Sequence, residues 1–107
     1  LIEHAPAQAT RHQHARLTAQ AVLTETRDDL DIAAQMYAQV AERWARYGHA
    51  LEHGQALLSA GRCQLRLGQP QARSLLTEAR TVLASLGARP LLAEADAWLL
   101  DAATRNF

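Results

Sequence analysis

The chain of 107 residues has no lysine, a single cysteine, one methionine and only 5% aromatic residues, with five glycines and three prolines. Each shortage excludes something. One thiol, Cys63, can form neither an internal disulfide framework nor a multi-cysteine zinc site. With β-branched and aromatic residues this scarce, a sheet is not expected. No apolar run approaches the ~20 residues needed to span a bilayer, so no membrane partner is expected. The N-terminal stretch also lacks the succession of a signal peptide, and the expected compartment is the cytoplasm. Eleven acidic residues balance eleven basic ones, all of them arginine. Like charges never run long enough to make a polybasic patch or an acidic tail. Direct nucleic-acid binding needs a basic stripe that displaces counterions from phosphates, and none is visible. The chain starts at Leu1 rather than Met, which reads as an excerpt of a longer protein.

What the sequence does contain is alanine and leucine. The hydrophobic share is 49%, and these two residues lead the helix scale. Glycine and proline punctuate the chain into five stretches, predicting helices near 7–27, 29–47, 50–67, 70–86 and 90–105. Pro6, Pro70 and Pro90 open helices, while Gly48, Gly68 and Gly87 close them. Asp28, Asp29 and Asp31 are expected at the cap and first turn of the second helix, where carboxylates meet free N–H groups. Ile32, Ala33, Met36, Tyr37, Val40, Ala41 and Trp44 fall at spacings of three and four and predict a buried stripe. Leu51, Leu57, Leu58 and Leu65 are expected to face inward from the third helix, as are Leu75, Leu76, Val82, Leu83 and Leu86 from the fourth. Ala15, Leu17, Ala21 and Val22 supply the apolar positions of the first. Short connections force antiparallel neighbours.

Sliding the chain on itself by about 40 residues superimposes Leu17 on Leu57 and Ala21 on Gly61, while slightly shorter shifts pair Gly48 with Gly87 and Ala41 with Ala79. The repeating unit is therefore a helix pair. The segment from Gln55 to Ala79 resembles a tetratricopeptide repeat. Leu57 takes the large apolar place of its first helix, Gly61 the small one, Leu67-Gly68 the turn, and Ala72 and Ala79 the two small residues of its second helix. It departs from that pattern in a turn one residue short and a longer repeat. In these departures it is similar to the long degenerate repeats on the C-terminal side of large bacterial regulators, which join an ATP-binding module to a LuxR-type activator or a nucleotide cyclase. The resemblance implies an all-α right-handed solenoid of roughly two and a half repeats. It also implies a non-enzymatic function: protein–protein interaction or effector sensing through the concave groove, in a transcriptional or signalling regulator. In that family the first helix of each pair lines the groove, which puts Gln55, Leu58, Arg62, Leu65 and Arg66 on the binding face. Two arginines there could pair with an acidic peptide; equally, they could belong to a solvated helix face.

Other motifs compete with plainer explanations. His49-Ala50-Leu51-Glu52-His53 fits the H-x-x-E-H pattern of inverted zinc peptidases, but the chemistry needs a third ligand and an open cleft. Without them, His49 is a helix-start residue, and Glu52 and His53 face solvent. No metal or cofactor is expected. His12 and His14, two apart on a helix, cannot chelate together and read as surface residues. Cys63 reads as a small packed hydrophobe. Trp44 reads as core. Trp98 and Leu99, with Phe107, would lie on an end face that meets further repeats of the parent chain or a second copy, making a homodimer. A compact bundle that merely dimerises is the structural alternative.

Overall fold

A computed structural model describes residues 4–105, with side chains from residue 10 onward. It contains α1 (His4–Thr26), α2 (Leu30–Arg46), α3 (Ala50–Arg66), α4 (Ala72–Leu86) and α5 (Arg89–Thr104), and no strand among the described residues. No helix is long and apolar enough to cross a membrane among those residues. Phe107, expected at an end face, lies outside them.

The helix ends explain the architecture. Asp28, Gly48, Gly68 and Gly87 all have left-handed backbones, with φ of 63°, 78°, 73° and 67°. The N–H of the following residue reaches back into the helix each time: Asp29 to the Thr24 carbonyl at 3.2 Å, His49 to Trp44 at 2.9 Å, Gln69 to Gln64 at 2.9 Å and Ala88 to Leu83 at 3.1 Å. This Schellman closure satisfies carbonyls that a helix end leaves open. Asp28 was expected to help start α2 and instead terminates α1, because an aspartate tolerates the left-handed region better than most residues with a Cβ. Asp29 is the N-cap residue of α2, without a side-chain cap bond. In α4 the first helical residue is Ala72 rather than Pro70, since the chain first makes a tight turn from the Ala72 N–H to the Gln69 carbonyl, 3.1 Å.

Each helix packs antiparallel on its neighbours in the chain, and α5 also touches α3. The assembly measures 54 × 31 × 19 Å with a radius of gyration of 14.3 Å, more extended than the ~13 Å of a compact domain of this length. Leucines 57, 58, 65, 76 and 83 join Val40, Trp44 and small alanines in one core cluster; Ala21, Ala33, Ala34, Tyr37, Ala60 and Cys63 form a second. The α3–α4 contact is close because α3 presents glycine where α4 presents leucine. A Cβ on Gly61 would stand 2.7 Å from Leu76 Cγ and 3.2 Å from its backbone nitrogen, and one on Gly54 would stand 2.9 Å from Leu83 Cδ2. Ile32, Leu51 and Leu86 are exposed rather than buried, each lying in a terminal turn that neighbouring helices flank least.

His14 also differs from expectation. It is 1% exposed, because it continues the stripe of Leu17 and Ala21 by which α1 docks. Its ring stands edge-on to Trp44, with centroids 4.9 Å apart, and tilts against Tyr47 at 5.3 Å. Burial, and then the charges of Arg43 and His49, push its pKa below the ordinary 6.5. The buried neutral ring therefore contributes stability that is complete above the unfolded-state value and is lost as pH falls through the folded one.

Two outcomes follow from this packing. Gly61→Ala should lower stability by about 1–3 kcal/mol, measured by urea unfolding, although alanine is the better helix former. Thermal unfolding followed by circular dichroism should show the melting temperature falling as pH drops below 6.5. A flat profile there would contradict the docking of α1 through a neutral His14.

A candidate binding groove

Three helices that are not consecutive in the chain share one face. Along α1, Arg11, Ala15, Thr18 and Val22 recur at helical spacing; along α3, Glu52, Gln55, Ser59 and Arg62 do the same; α5 adds Leu91 and Glu94. Between them lies a groove of about 550 Å³, with Leu58, Trp44 and Tyr37 at its base. That volume falls in the range of ligand and side-chain pockets. Val22, assigned by sequence to the apolar positions of α1, is exposed because it faces this groove.

A single guanidinium ties the three helices together. Arg62 on α3 donates from Nη2 to Glu25 Oε1 at 2.7 Å and from Nε to Glu25 Oε2 at 2.8 Å, a two-pronged contact with α1. Its Nη1 donates to Glu94 Oε2 of α5 at 3.4 Å. Tyr37 donates its hydroxyl to Glu25 at 2.8 Å, and Trp98 Nε1 donates to Glu94 at 3.3 Å. Burial pushes the Glu25 carboxyl up, but hydrogen bonds from Arg62 and Tyr37 outweigh it and hold the pKa below the usual range. Burial, then the bond to Glu25, pushes the Tyr37 phenol up, and the separate hydrogen bonds from Arg62 to Glu25 keep Arg62 firmly charged. Charged hydrogen bonds of this geometry are roughly twice as strong as neutral ones.

The residues singled out from sequence divide. Gln55 and Arg62 line the groove, and Leu58 forms its base while remaining buried. Leu65 does not belong to the binding face: it is fully buried in the larger core cluster, since it shares the packing face of α3 with Leu57, Leu58 and Gly61. Arg66 sits outside the groove, 3.3 Å from Asp28 and 3.9 Å from Glu25. Neither arginine is therefore an unpaired cation awaiting an acidic peptide. Trp98 and Leu99 pack half-buried against the core, and Leu100 is the more exposed residue of α5, at 72%. Glu25, Tyr37 and Glu94 were not legible as site residues, because the ion pair that gathers them spans 37 residues with no local signal.

The H-x-x-E-H segment does not assemble as a zinc peptidase would require. His49 is the N-cap residue of α3, edge-on to Trp44 at 5.2 Å and with Nδ1 3.4 Å from Arg11 Nη2. His53, expected to face solvent, is half-buried with Nδ1 2.9 Å from the Ala41 carbonyl oxygen, since it points back along the α2–α3 seam. Glu52 lies in the groove. No group of three His, Cys, Asp or Glu able to hold a metal occurs among the described residues. Cys63 is fully buried, and burial followed by the nearby Glu25 charge pushes its thiol up to about 11, away from a reactive thiolate.

No protein-family model, curated protein or solved structure gave a significant match to the chain.

Removing one partner of the central pair should be costly. Glu25→Gln leaves the Arg62 charge with only the longer Glu94 contact at 3.4 Å and should destabilise by about 1–3 kcal/mol in denaturant titration. Because the folded Glu25 pKa lies below the ordinary 4.5, the wild type should gain this contribution fully above that value and lose it as pH falls through the folded one. The variant should lack that acid limb.

Proposed function

We propose that the chain is a tetratricopeptide-like solenoid segment that binds a stretch of a protein partner in the α1–α3–α5 groove, as an interaction module of a bacterial signalling or transcriptional regulator. The observation that carries this reading is the alternation of the walls. Only the odd-numbered helices supply the sides of the groove, the arrangement expected when the first helix of each successive pair faces inward. Of the even-numbered helices, α2 contributes Trp44 and Tyr37 to the base, and α4 packs behind α3.

The groove chemistry favours an apolar side chain next to a basic residue over the acidic peptide expected from Arg62 and Arg66. Ala15, Val22, Leu58 and Leu91 provide apolar surface, and Gln55 and Ser59 offer groups for a peptide backbone. Glu52 and Glu94 line the groove with Arg11 and Arg62, but the Arg62 charge is already met by the two-pronged contact with Glu25 behind the wall, which leaves the lining with an excess of carboxylate. Complementary charge steers encounter and rejects wrong partners. A catalytic role draws no support from the same residues: Glu25 is held ionised while Tyr37 and Cys63 are pushed away from ionisation, so none is tuned for proton transfer near neutral pH.

Selection from a displayed random-peptide library tests the proposal. Recovered peptides should share an apolar residue beside Arg or Lys and shift the amide resonances of Thr18, Gln55 and Ser59. Ala15→Trp, a change at an exposed groove wall, should weaken them by about tenfold or more with helicity unchanged. Recovery of acidic peptides, or binding indifferent to Ala15→Trp, would overturn it.

A further inference from the structure

A second recess opens between α1 and α2 and uses different residues of α1 from the groove. It encloses about 350 Å³ between Gln13 and His14 of α1 and Gln39, Arg43 and Arg46 of α2, with Tyr47 at its rim. Its lining is polar throughout, which a packing defect between two amphipathic helices would not be.

Two of its groups are left without partners. His14 is 1% exposed, yet its Nδ1 makes no hydrogen bond. Native structures leave few such atoms, because burying an unsatisfied polar group is unfavourable. The half-buried Arg43 side chain makes no ion pair or hydrogen bond among the described residues. The acid of the recess, Glu42, is engaged by Arg46 at 3.3 Å, so the charge of Arg43 stands uncancelled beside the unfinished imidazole.

We propose that this recess binds a small oxyanion, a carboxylate or phosphate group, held between the Arg43 guanidinium and the Nδ1–H of His14. Guanidinium and imidazole N–H groups are donors suited to oxyanions, and the Gln13 and Gln39 amides can complete the shell. Access lies past Tyr47, which is 57% exposed, leans on the imidazole at 5.3 Å and has no side-chain hydrogen bond among the described residues. Turning that ring outward uncovers His14 without disturbing a helix.

The charged and titratable groups around His14 are Arg43, Arg46 and Glu42 of α2, Tyr47 at its end and His49 at the start of α3. Burial, then Arg43 and His49, keep the imidazole neutral. A bound anion offsets the two charges and favours protonation, so occupancy and proton uptake are linked. For a ligand of constant charge, affinity therefore rises as pH falls toward the His14 pKa, which lies below 6.5. The inference is independent of the groove, with which the recess shares no lining residue.

The test follows the His14 imidazole and Arg43 Nε resonances of the intact chain by NMR. Sodium phosphate and sodium acetate are titrated in separate arms, with chloride holding the ionic strength constant. One arm at least should give a saturable shift, and the responding arm identifies the oxyanion type; an acetate response should tighten as pH falls, since a carboxylate keeps its charge down to about pH 6. Arg43→Gln should weaken binding about tenfold or more. Arg73→Gln, which removes equal charge from an exposed site on α4, should leave it unchanged. Shifts that never saturate in either arm, or that are the same in both variants, would mean an adventitious ion only and overturn the proposal.

Discussion

The end of each of the first four helices demands a left-handed residue, and the fold is organised around that demand. Asp28, Gly48, Gly68 and Gly87 close their helices in the same way, with the next N–H returned to a carbonyl inside the helix. The chain then reverses within a few residues and starts again, often with the residue that has just donated as the new N-cap. Near-equal spacing of these closures gives α2 to α4 comparable lengths, from 15 to 17 residues, and α5 has 16. Helices of matched length stacked alternately up and down leave the odd-numbered ones on one side. A groove there is a result of regular turns rather than of a special sequence.

Charge then sets the groove at one end. Arg62 reaches Glu25 and Glu94 at once, so one side chain of the middle wall holds both outer walls. The Arg62 and Glu25 side chains are 21% and 14% exposed, and salt screens such partly buried pairs less than surface ones. Among the described residues the opposite end has no comparable clamp: there Arg11 meets the ring nitrogen of His49, at 3.4 Å. The groove is thus fixed at the Arg62 end and looser toward Arg11.

Much of the fold could be read from the residues because its punctuation is strong. Gly48, Gly68 and Gly87 each marked a helix end, and the stripe from Ala33 to Trp44 identified the buried face of α2. The failures share a cause. Asp28 carries a side chain that suits both a helix start and a left-handed helix end, and the residue type alone does not choose between them. His14 looked like surface because it is polar, although its register with Leu17 and Ala21 placed it at the seam. Leu65 lay one register step away from the groove face. The pairing of Arg62 with Glu25 joins α3 to α1 through tertiary geometry alone, and no spacing rule reaches it. In the candidate site, Gln55 and Arg62 were legible as exposed positions of α3, but their partners were not.

Packing that runs almost wholly between consecutive helices has a kinetic side. Contacts formed between chain neighbours close only short loops, so little entropy is lost before each contact forms. Such topologies have low relative contact order and belong with the fast folders, in the microsecond-to-millisecond range. The end helices have a neighbour on one flank only, and they open before the centre does. Cys63, fully buried on α3, sits in the part that opens last. Its rate of labelling by a thiol reagent is a built-in clock for the least frequent opening of the molecule.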